Sequence, residues 1–426
     1  MLNSGQLQRK LERTLLAFPW YGRLLGQTRA ATALSELPLL TAETLERFYY
    51  APGNPLERQP NLHAYRTSGT SSGYRKTIYY SDEDERRYAE IKSDLFARFL
   101  RAGEEVGLGS LRTALSDMGT GHAADTAADV FARIGLQAES VSFRLPVERH
   151  LERLEAVRPH VLYTMPSILD RLLAAAERPS RLGIRKVILV GEPAPPAWRE
   201  QAALRLGIRT EDIMDTYGSI EIGTIAYFSH EHGRYLFAEG IEAEGWRPSA
   251  EPDFRGSAGL EALSGAGDGL EEDECVLVLT SLARDMFPAL RYVTYDVVRD
   301  FRPIRVNGSW RPSFRALVKR LGPELKHGEK ISVYDIEDVV YRHAEPSAAV
   351  RVHVADNKLR VRIVGGIGDL GRLAAIEREL ANRIPEIGAM IRGGLLEALK
   401  VEYVPQDDGT AAWADGGIKR KKIYYD

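Results

Sequence analysis

The sequence predicts a layered α/β protein, and three observations carry that prediction. Apolar residues recur at helical spacing in Leu7–Leu16 and again in Arg86–Leu100. Short β-branched runs such as Lys186–Val190 and Cys275–Thr280 read as buried strands. Helical and strand-like segments alternate along most of the chain, an order that favours α/β layers over a bundle or a sandwich. A chain of 426 residues exceeds one typical domain, so one large unit and one smaller unit are expected.

Composition sets further bounds. Hydrophobic residues at 44% and charged residues at 27% describe a folded globular chain rather than a disordered one. Lys+Arg 57 against Asp+Glu 60 gives a net charge of −3, without the basic excess of a nucleic-acid binder. Any phosphate site must therefore be local. The lone Cys275 excludes an intramolecular disulfide and every multi-cysteine metal pattern, which suits a reducing compartment. The amphipathic, charged start has no secretory h-region, and no stretch reaches the roughly 20 apolar residues of a membrane helix. A cytoplasmic protein that neither spans nor enters a membrane is expected.

Along the chain, Tyr65–Tyr80 reads YRTSGTSSGYRKTIYY, a strand, seven residues made only of Ser, Thr and Gly, then a basic pair and a second strand. Small residues let backbone N–H groups converge, hydroxyls add donors, and Arg75 or Lys76 adds charge, which together suit a phosphate. It is neither a Walker loop nor a dinucleotide fingerprint; a flexible Ser/Gly hairpin loop is the plain alternative. Ser116–Asp125 is a glycine-rich turn between a strand and a helix. DTYGSIE at Asp215–Glu221 follows a strand and would aim Glu221 from a sheet edge, where a carboxylate can hold Mg²⁺ beside phosphates. RYVTYD at Arg291–Asp296 offers Asp296 at a strand-end turn, where a carboxylate can accept both vicinal hydroxyls of a ribose. The Gly-rich, acidic stretch Ala250–Asp273 reads as an exposed loop. Proline, glycine and charge break the pattern across Arg311–His327, placing a boundary there. A small α+β unit then follows: helix Tyr334–His343, strands Ala349–Ala355 and Lys358–Val364, helix Gly371–Arg383 and strand Leu399–Val404.

The ordered set TSGTSSG, MPSIL, GEP, YGSIE, FPALRYVTYD and a late glycine–lysine motif resembles the phenylacetate–CoA ligase group of the acyl-adenylate-forming superfamily. The resemblance runs from about Tyr65 to the C-terminus. It implies a large layered α/β adenylation domain over 1–320 and a small, mobile α+β lid over 321–426. It also implies ATP-dependent activation of a small or aromatic carboxylic acid, then transfer to a thiol, with CoA as co-substrate. Loading of a carrier protein or an amine is the alternative, and a nucleotide- and acid-binding protein without turnover is a third. Carried over by residue, Ser68, Gly69, Thr70 and Ser71 embrace the phosphates and Glu221 holds Mg²⁺. Gly191, Glu192 and Pro193 line the adenine side with Tyr217, Asp296 holds the ribose, and Gly218, Ser219 and Arg320, the last matching the arginine of the family's hinge, complete the nucleotide-binding set. His122, Tyr163, Met165 and Pro166 border the acid pocket, with a helix-start histidine of no role the equal alternative for His122 and core packing the default for the last three. Lys419 bridges acid and α-phosphate, with Lys421 and Lys422 as alternatives. The hinge lacks the family's aspartate, reading KRLGPELKHGE, and the Cys/His cluster of some relatives is missing, so no zinc is expected. Homodimers are common among such relatives. His230 and His232 read as a surface pair, and Cys275 as inert filling of a strand, with a thioester nucleophile as the other possibility.

Overall fold

A computed structural model describes residues 3–26, 33–66, 76–101, 111–117, 122–142, 145–247, 270–320, 332–345, 348–355, 358–365, 369–384, 387, 398–404 and 423–425. The chain forms two compact units, one of residues 1–98, 121–126 and 216–328, the other of 99–120, 127–215 and 329–426. The fold is α/β, as the alternation of elements predicts.

The first unit is mainly antiparallel. Strands Ile241–Trp246, Glu274–Ser281, Tyr292–Arg299 and Ala316–Arg320 form one sheet in that order. A meander runs from Thr216–Ser219 through Gly223–Ser229 and Arg234–Phe237 to Ser309–Phe314 and Arg302–Val306. Leu62–Arg66 and Thr77–Ser81 pair as an antiparallel hairpin. The helix Ser4–Ala17 is closed at its start by an Asn3–Gln6 capping box and buries Leu7 and Leu11 in a core shared with Phe287, Leu290 and Phe314. The pattern break read at Arg311–His327 does not end the strands, because Ser309–Phe314 and Ala316–Arg320 continue to the last described residue before 332. Pro303 and Pro312 sit opposite each other in the hairpin, and the ladder to Arg234–Phe237 begins only at Ser313, so the prolines displace no paired N–H there.

The second unit holds a parallel sheet ordered Gln137–Ser140, Thr113–Ser116, Val161–Thr164, Lys186–Leu189 and Ile213–Asp215. Val161–Thr164 and Lys186–Leu189 are buried throughout, as strands covered on both faces must be. Helices Val147–Val157, Pro166–Ala175 and Pro196–Leu206 connect the strands. The later elements follow the order read from sequence, with a fourth strand added. Lys358–Val364 lies between Ala398–Val404 and Ala349–Ala355, and Ile423–Tyr425 joins Ala349–Ala355 in parallel. Helix Val333–His343 docks on Pro196–Leu206, where Asp338 accepts from the Ala197 N–H at 3.3 Å. No described helix is long and apolar enough to cross a membrane.

Candidate functional site

Tyr217, Asp296 and Arg320 converge in the first unit. Tyr217 lies within the strand Ile213–Ser219, not in a turn after it, and its hydroxyl donates to the Asp296 carboxylate. Asp296 reaches this position through an irregularity in strand pairing. Val293 pairs with Val278 and Val297 with Val276, so Thr294, Tyr295 and Asp296 face Leu277 alone. Tyr295 takes φ +63°, and the Thr294 hydroxyl accepts from the Asp296 N–H at 3.1 Å. Such a bulge re-aims a side chain. Arg320 is the cross-strand neighbour of Asp296, its Nε 3.8 Å from the carboxylate. Burial raises the Asp296 pKa even though Arg320 and Tyr217 oppose the shift. Burial and the adjacent carboxylate likewise raise the Tyr217 phenol, and Asp296 raises Arg320. The result is a desolvated acceptor with one donor in place and a cation close by, able to take further hydroxyl donors.

Glu221 occupies the turn between Thr216–Ser219 and Gly223–Ser229. The turn is tight, since a Cβ on Gly218 would meet the Gly223 carbonyl oxygen at 2.7 Å. Its backbone is tied from below. The Tyr80 hydroxyl donates to the Ile220 carbonyl at 2.7 Å, and Arg284 Nε donates to the Glu221 carbonyl at 3.0 Å. Arg284 is itself buried, paired with Asp84, and donates to the Tyr79 carbonyl at 2.9 Å. Glu221 acts electrostatically on Asp296 and Arg320, so the four side chains share one field. Among the described residues no group of three or more His, Cys, Asp or Glu side chains could hold a metal. A single carboxylate fits Mg²⁺, which takes one or two carboxylates and completes its shell with water and substrate phosphates.

His122 belongs to the same unit. Its ring is packed by Tyr65 at 4.6 Å, Tyr80 at 4.2 Å and Tyr88 at 4.1 Å, and Nε2 lies 2.7 Å from Glu85. Burial lowers its pKa and Glu85 recovers only part of the shift.

The second unit gathers a different group. Met165 and Pro166 begin the helix Pro166–Ala175, and Glu192 accepts from both the N–H and the hydroxyl of Ser167 at 2.9 Å. The Glu192 carboxylate thus caps a helix start. Gly191 has φ +80°, and a Cβ there would press on Met165 Cε at 3.3 Å, while Pro193 is exposed. Tyr163 is fully buried with its ring edge-on to Phe131 at 5.9 Å, a core residue.

Ser68, Gly69, Thr70, Ser71 and Arg75 lie outside the described residues, as do residues 321–329 of the hinge, Lys419, Lys421, Lys422 and most of Ala250–Asp273. Lys76 is described: it pairs with Glu46 at 2.6 Å and lies 4.6 Å from the Tyr50 ring centre. His232 bonds Ser229 at 3.0 Å and His230 sits edge-on to Phe228, at a strand-connecting turn. Burial pushes the Cys275 thiol up to about 11, which disfavours the thiolate. Sequence reasoning missed Glu85, Asp84 and Arg284. The first two are hidden in the acidic run SDEDE, which reads only as a helix start.

Solved structures with this fold are adenylate-forming ligases. A 2-hydroxyisobutyryl-CoA ligase in the postadenylation state superposes with a TM-score of 0.71 at 15% identity over 99% of this chain and 88% of that one. An open conformation of that ligase, in complex with 2-HIB-AMP and CoA, gives a TM-score of 0.59 at 15% identity, covering 99% of this chain and 90% of that one. The chain thus has the fold of these ligases, the fold that the motif order implied. A model of the fumarate–diaminopropanoate ligase C-terminal domain matches residues 326–406. A fumarate–(S)-2,3-diaminopropanoate ligase from Enterobacter agglomerans is 34% identical over 415 residues, 96% of this chain and 98% of the relative. The chain belongs to the fumarate–diaminopropanoate ligase family.

Proposed function

We propose that the protein activates a short carboxylic acid of the fumarate type with ATP and joins it to the amine of an amino acid resembling 2,3-diaminopropanoate. The observation that carries this is the 34% identity spread over nearly the whole of both chains. It moves the acceptor from the thiol expected by resemblance to CoA ligases toward an amine, the alternative that the resemblance left open.

The residues support adenylate chemistry as follows. A carboxylate oxygen of the acid attacks the α-phosphorus of ATP in line and pyrophosphate leaves. Asp296, held by Tyr217 and flanked by Arg320, accepts the ribose hydroxyls and fixes the nucleoside. Glu221 is the side chain to hold Mg²⁺, which when bound offsets phosphate charge. The Ser68–Ser71 loop cradles the phosphates, and Lys419, on a mobile part spanning 321–426, meets the acid and α-phosphate. The resemblance gives Gly191, Glu192 and Pro193 to the adenine and Met165 and Pro166 to the acid. The amine then attacks the mixed anhydride and AMP leaves. Work in the cytoplasm suits the lone cysteine.

Acid-dependent ATP–pyrophosphate exchange across fumarate, aryl and fatty acids, followed by mass analysis of products with 2,3-diaminopropanoate or CoA, tests this. Exchange with fumarate and an amide product are expected. A thioester with CoA and no amide would overturn the acceptor assignment; exchange confined to aryl acids would overturn the acid.

A further inference from the structure

An amine that attacks an acyl-adenylate must shed a proton, and the surroundings of His122 are arranged to take one. Glu85 faces Nε2 of His122 at 2.7 Å. Burial opposes its ionisation, yet the hydrogen bond from His122 holds the Glu85 carboxyl below its ordinary range, so it is a carboxylate and can only accept. The proton between them therefore belongs to Nε2, and the lone pair sits on Nδ1. Tyr65 adds a second hydrogen bond to Glu85. A base oriented by a carboxylate, with its other nitrogen left as acceptor, is the arrangement of an activated general base.

Position supports this. Tyr65 ends one residue before the last pair of the hairpin, Arg66 with Thr77, whose intervening loop carries Ser68–Ser71. Tyr80 touches the His122 ring on one side and bonds Ile220, next to Glu221, on the other. His122 thus lies between the base of the phosphate loop and the Glu221 turn. The groups facing it are Tyr65 and Tyr80 from the hairpin, Glu85, Tyr88 and Lys92 from the helix Asp82–Arg101, and Arg284. Burial lowers Lys92 to about 7, and Lys92 and Arg284 both favour a neutral imidazole.

We propose that His122, oriented by Glu85, is the general base that removes the proton from the amine acceptor in the second half-reaction. This rests on the amine-ligase function above. In the step, the amine nitrogen bonds to the acyl carbonyl carbon and the carbon–oxygen bond to phosphate breaks. Before the attack the ammonium form of the amine gives one proton to Nδ1, which frees the nitrogen lone pair; AMP then leaves with the electron pair of the broken bond, and the second N–H proton is carried off by its phosphate or by water.

The test compares amines on one enzyme. His122→Asn and Glu85→Gln are assayed for fumarate-dependent pyrophosphate exchange, and for amide formation with 2,3-diaminopropanoate and with hydroxylamine, which is already unprotonated at neutral pH. Amide formation with 2,3-diaminopropanoate should fall about 10²–10⁴-fold in His122→Asn, and less in Glu85→Gln. Hydroxylamine should recover at least ten-fold of that loss, and exchange, which also reports folding, should fall far less. Equal losses with both amines would reduce His122 to packing and overturn the proposal while the amine-ligase function stands. A wild-type enzyme that forms no amide with either amine would bring down that function, and the proposal with it.

Discussion

Two arginine–aspartate pairs in the same unit are built to opposite ends. Asp84 and Arg284 are both sealed from solvent, and nearly every polar atom is matched. Asp84 accepts from Arg284 and from the Asp285 and Met286 N–H groups at 2.8 and 3.0 Å, while Arg284 also serves the Glu221 and Tyr79 carbonyls. Asp296 and Arg320 stand 3.8 Å apart, with Arg320 largely exposed and one hydroxyl on the carboxylate. The first pair is closed, so its loss is a loss of structure. The second keeps acceptor capacity in reserve, which is what a site for hydroxyl donors requires.

The largest expected effect lies in the closed pair. Arg284→Met strands Asp84 without a counter-charge and should lower unfolding free energy by about 3–5 kcal/mol in a urea titration; a change below about 1 kcal/mol would mean the two pairs do not differ in kind. Asp296→Asn should slow pyrophosphate exchange about 10²-fold, the cost of charged hydrogen bonds to a ribose, chiefly through a raised KM for ATP. Its stability should move the other way. The folded pKa of Asp296 is raised, so the folded state binds the proton more tightly than the unfolded chain, and stability falls as pH climbs through and above the ordinary carboxylate range. The variant should therefore melt higher than wild type at neutral pH, with the gap closing in acid. A lower melting temperature at neutral pH would place Asp296 with the structural pair. Glu192→Ala is the smallest effect, about 1 kcal/mol for a lost helix cap, read from thermal unfolding. A rise in KM for ATP matching that of Asp296→Asn would show that Glu192 serves the nucleotide as well as Ser167.

Much of this was legible in the chain. The order of the last unit could be read because amphipathic helices such as Leu370–Arg383 and alternating strands such as Lys358–Val364 carry their own periods. Tyr217 and Asp296 sit in short motifs whose residue types already suggest their partners. What could not be read is long-range. Glu85 and His122 are 37 positions apart and Asp84 and Arg284 are 200 apart, and no local pattern links them. The bulge at Thr294–Asp296 depends on what lies across the strand. Pro312 ends no strand, although it falls in the stretch read as a pattern break, because a missing N–H matters only where a neighbouring strand would use it.

The short strand Ile423–Tyr425 has a mechanical side. Its pairing with Val352–Val354 pins the chain four residues beyond Lys419. At about 3.3–3.6 Å per residue, the Lys419 backbone is leashed within about 14 Å of Ile423. In the proposed function, where Lys419 meets the acid and the α-phosphate, that leash ties the lysine to the small sheet, and cutting it at Ile423 should weaken adenylation more than ATP binding.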